Sequence, residues 1–133
     1  MPYSLTDATT KLAQSDPAFA SIHRRFAEDL APNDPPMVIV FAFYGRQFAQ
    51  SVTRGANMVS ILQLIEDLMQ NGTEDVKNAV ATGFWEAILA EASAGRFDFR
   101  SIIRQAGSAS LDYCRAWDGF TGVRTPGLHD PAT

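Results

Sequence analysis

Six carboxylates crowd a stretch of chain that holds almost no positive charge. Glu66, Asp67, Glu74, Asp75, Glu86 and Glu91 stand between Ser60 and Ala94 against the single base Lys77, a net −5 in a protein whose total is −4. Carboxylates in such numbers can ligate a metal, share acid–base work, or present a negative surface to a partner. The first two uses need groups that converge. Adjacent helical residues point about 100° apart, the cluster has no partner histidine, and Glu74 and Asp75 follow Thr73, where they suit the positive end of a helix dipole. A negative surface remains, either merely solvated or turned towards a partner, and these six residues are its candidate partner-binding groups.

The other reactive side chains are few. Cys114 is the only cysteine; as a nucleophile it would need a base, and the two histidines, His23 in an early helix and His129 near the end, stand in no motif with it. Three residues after Leu111 and three before Trp117, it reads as a small apolar core residue. Arg96, Arg100 and Arg104 recur every fourth residue and form either a solvated helix face, a phosphate-contacting ridge, or partners for acids of the preceding helix. Three arginines in an acidic chain make a weak nucleic-acid footprint, with no aromatic residues interleaved on that face. The chain contains no glycine-rich phosphate loop, zinc spacing or H-E-x-x-H pattern. No enzyme activity, cofactor, metal or nucleic-acid partner is expected.

The elements that position these groups read as helices. From Asn57 to Gly95 two amphipathic segments form a hairpin: Met58, Ile61, Leu62, Ile65, Leu68 and Met69 share one face of the first, and Val76, Val80, Phe84, Ala87 and Ile88 one face of the second. Thr73 suits the N-cap between them, although Val76 stands where a capping box needs Glu or Gln. Gly55, Gly72, Gly95 and Gly107 each follow a periodic segment, as left-handed helix stops do.

Before the hairpin, residues 4–14 suggest a weakly amphipathic helix with Leu5, Ala8 and Leu12 along it. Asp16-Pro17 starts a second helix, with Phe19, Ile22, Phe26 and Leu30 on its buried face. Pro32, Asn33, Asp34, Pro35 and Pro36 form a connector. The apolar run Met37 to Tyr44 could be a buried strand. With no second strand to pair with it, a helix through Met37, Phe41, Tyr44, Phe48 and Val52 is preferred. After the hairpin, Phe97 to Ala106 suggests a short helix with Phe99, Ile102, Ile103 and Ala106 inward. A last helix follows, capped by Ser108 and packed through Leu111, Cys114 and Trp117.

The expected fold is therefore all-α, a single-domain array of about six helices over residues 1–118 around the hairpin 57–95, with an irregular tail over 119–133. A length of 133 residues, 46% apolar and 20% charged, suits one folded domain. The longest apolar run falls well short of the roughly 20 residues that span a bilayer, and the N-terminus lacks a basic region followed by an apolar core. Together with the lone cysteine, this makes the cytoplasm the expected location.

TEDVKNAVATGFWEAI is similar to the second helix of a HEAT-type repeat, with Asp75-Val76-Lys77 followed by Ala79 and Val80 for close packing. The wider region 37–118, with Gly83-Phe84-Trp85-Glu86 and the closing GSASLDYCRAW from Gly107 to Trp117, resembles small bacterial helical proteins, some of them similar to immunity proteins of polymorphic toxin systems. That resemblance implies stoichiometric neutralisation of a basic toxin domain through the acidic surface. The alternative it implies is a HEAT-like scaffold or adaptor in a larger assembly, which an exposed apolar patch in place of a dominantly acidic face would favour.

Overall fold

The computed structural model describes residues 2–30 and 36–129. Most of the expected connector, Pro32 to Pro35, the last four residues of the tail and the side chain of Leu30 lie outside them. The fold is all-α. Helices α1 (Leu5–Ser15), α2 (Pro17–Leu30), α3 (Met37–Thr53) and α4 (Val59–Asn71) are followed by a continuous helical rod and then by α7 (Ser108–Thr121). The rod consists of α5 (Glu74–Asn78), a π-helical segment (Ala79–Trp85) and α6 (Glu86–Ser93).

Local chemistry explains the starts. Ser4 and Asp7 form a reciprocal capping box on α1. Asp16 accepts the Ala18 amide at 2.8 Å as Pro17 opens α2. Thr73 Oγ1 accepts the Val76 amide at 3.3 Å to open α5. Met37 to Tyr44 is helical, as preferred over the strand, and Phe41, Tyr44 and Phe48 are wholly buried on one side of α3.

Two of the four expected glycine stops adopt the left-handed conformation, Gly55 at φ 92° and Gly95 at φ 78°. Gly72 and Gly107 do not. Both have extended backbone, with φ −79° and −77°. Their need for glycine is one of space: a Cβ on Gly72 would lie 2.5 Å from Val76 Cγ1, and one on Gly107 would overlap the Glu66 side chain. At Gly72 the chain also zips to the N-terminal segment, where the Tyr3 amide donates to Asn71 O at 3.0 Å and the Thr73 amide to Tyr3 O at 2.9 Å.

The second hairpin helix departs from the regular α-helix its pattern predicts. Val76, Val80, Phe84, Ala87 and Ile88 are buried as expected, but from Ala79 to Trp85 the turns widen to π geometry. The widened rod lies backbone to backbone on α3. A Cβ on Gly45 of α3 would fall on the Phe84 carbonyl oxygen, and one on Gly83 of the rod would sit 2.5 Å from Val38 O and 2.8 Å from Phe41 Cβ. Around this seam, neighbouring Phe84 and Trp85 are both fully buried, and Trp85 continues the ring contacts to Phe99 with centroids 6.3 Å apart.

Residues 97–106 do not form the expected helix; their regular structure is one 3₁₀ turn, Phe99–Ser101. The reason is periodicity. Phe97 and Phe99 both enter the core and meet edge to face at 5.4 Å, whereas a helix would place residues two apart on nearly opposite sides. Asp98 fixes the turn by accepting the Arg100 amide at 2.9 Å. The last helix starts one residue earlier than a Ser108 cap implies, with Gly107 as N-cap and Ser108 already helical, and runs to Thr121 before Gly122 closes it at φ 79°. Beyond it the chain is irregular but anchored, with Thr125 and Leu128 buried.

Gly83→Ala should destabilise the protein by about 1–3 kcal/mol or more, because backbone atoms on α3 cannot yield to the new methyl. Gly119→Ala on α7, where a Cβ meets nothing within 4 Å, should be neutral or stabilising by about 0.5–1 kcal/mol. Phe84→Ala should cost about 3–5 kcal/mol. Chemical denaturation of the three variants checks this ordering.

Candidate functional site

Four of the six candidate acids are engaged inside the protein. Glu66 on α4 reaches the N-terminus of α7, where it accepts the Ala109 amide at 2.8 Å and the Ser110 amide at 3.0 Å; Gln70 donates to it at 2.7 Å. The carboxylate fills the space left by Gly107 and caps a helix distant in sequence. Burial pushes its pKa up, but the hydrogen bonds from Gln70, Ser110 and Ala109 outweigh that and leave it below its ordinary value.

Asp67, one residue on, turns towards the N-terminal segment. It accepts from the Tyr3 hydroxyl at 2.5 Å and from Asn71 Nδ2 at 2.6 Å, and these bonds lower its pKa. Glu86 accepts from the Tyr113 hydroxyl at 2.5 Å, tying α6 to α7. Glu91 pairs with Arg96 at 2.6 Å. No two of these four share a partner. Glu74 and Asp75 remain exposed in the first turn of α5.

The remaining reactive residues are similarly dispersed. Cys114 is wholly buried, and desolvation followed by nearby Asp118 pushes its thiol far above the usual range, which is the condition of an inert core thiol. It makes no hydrogen bond with either histidine. His129 Nε2 instead lies 2.7 Å from Asp118 Oδ2, while His23 lines a separate groove with Leu5, Thr9 and Met37. Without a helix over 97–106 the expected arginine stripe does not form: Arg96 pairs with Glu91 and Arg100 with Asp98. Among the described residues no group of three or more His, Cys, Asp or Glu side chains could hold a metal, and no helix is long and apolar enough to cross a membrane.

Buried Asp118 organises a cluster that sequence reasoning missed. It accepts the Thr125 amide at 2.7 Å and the Thr125 hydroxyl at 2.8 Å in addition to its contact with His129. Arg115 Nε donates to Leu128 O at 3.0 Å, so α7 holds the final segment at two points. The signal for the return was turn chemistry: Gly122 as a helix stop, followed by Thr125-Pro126-Gly127.

The outward side of α3 was also missed. Val38, Ile39 and Phe43 are 38%, 49% and 40% exposed. Phe26 of α2 meets Phe43 edge-on at 5.0 Å, and Ile22, Arg25, Phe26, Asp29 and Phe43 line a groove of about 330 Å³. The Arg46 guanidinium lies 4.2 Å from the Phe43 ring centroid. The run MVIVFAFY is apolar around the whole helix, so one side fills the core and the other stays in solvent.

Compared with protein-family models, with curated proteins and with solved structures, the chain has no match in any of the three. The geometry of its own residues therefore carries the functional argument.

Glu66→Ala should cost about 1–2 kcal/mol by uncapping α7. The lowered carboxyl pKa values of Glu66 and Asp67 stabilise the fold above their ordinary values of 4.5 and 3.8, and that contribution is lost as pH falls through the native values. Denaturation from pH 7 downwards should show the loss, with a shallower acid limb in Glu66→Gln.

Proposed function

We propose that this protein acts by binding another protein, without chemistry of its own, as a helical adaptor or scaffold component in the cytoplasm. The observation that carries the reading is the exposed apolar side of α3, where Ile39 and Phe43 lie one turn apart and Phe43 stands beside Phe26 and Ile22 of α2. Contiguous exposed apolar side chains next to a groove are the usual signature of a protein-docking surface. The acids support it by their other engagements: Glu66, Asp67, Glu86 and Glu91 make intramolecular bonds, so the charge of the hairpin is divided among four separate contacts.

The second reading is an immunity protein that neutralises a basic toxin domain through an acidic surface. Its support is Glu74 and Asp75, which are exposed together at the start of α5. The two readings use different surfaces of the same helical domain. They are therefore separable by substitution.

Affinity capture from the native cell should recover a partner with the wild-type protein and lose it with Ile39→Lys. That exposed substitution should change stability by no more than about 0.5 kcal/mol. Capture by Glu74→Lys/Asp75→Lys should be unchanged. Loss of the partner from the charge-reversed protein, with retention by Ile39→Lys, would replace the adaptor reading with the immunity reading.

A further inference from the structure

We propose that the element seated in the groove between α2 and α3 is an amphipathic helix of the partner with carboxylates along its edges, an inference that rests on reading this face as a docking surface. The groove is concave, with apolar walls from both helices: Ile22 and Phe26 lie one turn apart on α2, and Phe43 stands opposite. A cleft of about 330 Å³ takes inserted side chains, whereas a lipid surface meets a convex apolar face. Two helices presenting apolar residues at one-turn intervals form the groove into which a third amphipathic helix lays its apolar stripe.

Charge sets the character of that helix. Arg25 lines the groove and Arg46 covers the Phe43 ring, and neither makes an ion pair among the described residues. Elsewhere on the protein Arg96 is matched by Glu91 and Arg100 by Asp98. One guanidinium, Arg25, thus lines the groove and a second, Arg46, covers its Phe43 wall, against the single lining carboxylate Asp29, and among the described residues neither arginine is ion-paired. Carboxylates on the incoming helix supply the missing partners, and planar guanidinium groups bind them in a fork. Asp29, the acid on the same wall one turn from Arg25, sets the register: the partner's acids lie over Arg25 and Arg46 and away from Asp29.

Two synthetic helices of about 16 residues test the proposal. Both carry the same Leu/Phe stripe at i, i+3, i+4 and i+7, flanked by Glu in one and by Lys in the other. Fluorescence anisotropy should show the Glu-flanked peptide binding the wild-type protein about tenfold or more tightly than the Lys-flanked one, with a preference that shrinks as salt rises. Arg25→Glu, and separately Arg25→Glu/Arg46→Glu, should remove the preference while circular dichroism stays unchanged. Equal binding of both peptides, weakened alike by Phe43→Ala, would overturn the acidic character and leave the docking face standing. Binding of neither peptide would overturn the helix proposal, with the docking face judged separately by the Ile39→Lys capture. Binding of phosphatidylglycerol vesicles in place of both peptides would overturn it in favour of a lipid surface.

Discussion

The close approach of α3 to the π-helical segment is the contact around which the molecule is arranged. Gly45 and Gly83 let the two backbones meet with no side chain between them. Rings then fill both flanks of the seam: Phe41 and Tyr44 reach Phe19 on one side, while Phe48 and Phe84 lead to Trp85, Phe97 and Phe99 on the other. Close packing of this kind tolerates neither an added methyl nor a shift of one residue. It also gives α3 its two characters. The side that meets the rod is buried, and the opposite side carries its remaining apolar residues into solvent.

Polar contacts set the periphery. Three carboxylates each join parts of the chain far apart in sequence: Glu66 links α4 to α7, Asp67 links α4 to the N-terminal segment and Glu86 links the rod to α7, while Asp118 holds the final segment that follows its own helix. At Glu66 the donors are the amides of a helix terminus, which have no partner within their own helix. The concentration of negative charge in the hairpin is thus, for the most part, structural. The exposed side of α3, by contrast, is apolar and edged by Arg46.

The helices up to α4, the outline of α7 and most of the core were legible because they depend on local information: apolar spacing, a capping serine or threonine, and a proline at a helix start. The π segment was not, because Val80, Phe84 and Ile88 fit ordinary helical spacing, and a glycine inside a helix declares a close neighbour only once the neighbour is known. Residues 97–106 misled for the opposite reason. Their apolar residues include a helical subset, Phe99, Ile102, Ile103 and Ala106, while Phe97 and Phe99 impose a twofold alternation that breaks it. The engagement of the acids was hidden by distance along the chain, since Tyr3 is 64 residues from Asp67 and Ser110 is 44 from Glu66. At α3 the sequence was apolar on every side, so its inward face could be chosen and its outward face went unnoticed.

Hydroxyl-radical footprinting of the protein alone and in complex with its captured partner reads the exposure of the outward side of α3 directly. Docking there should strongly reduce labelling of Ile39, Phe43 and Phe26 in the complex, while Phe120, 86% exposed at the end of α7, stays labelled as in the free protein. Unchanged labelling of Ile39 and Phe43 in a stoichiometric complex would contradict the account and move the interface away from α3.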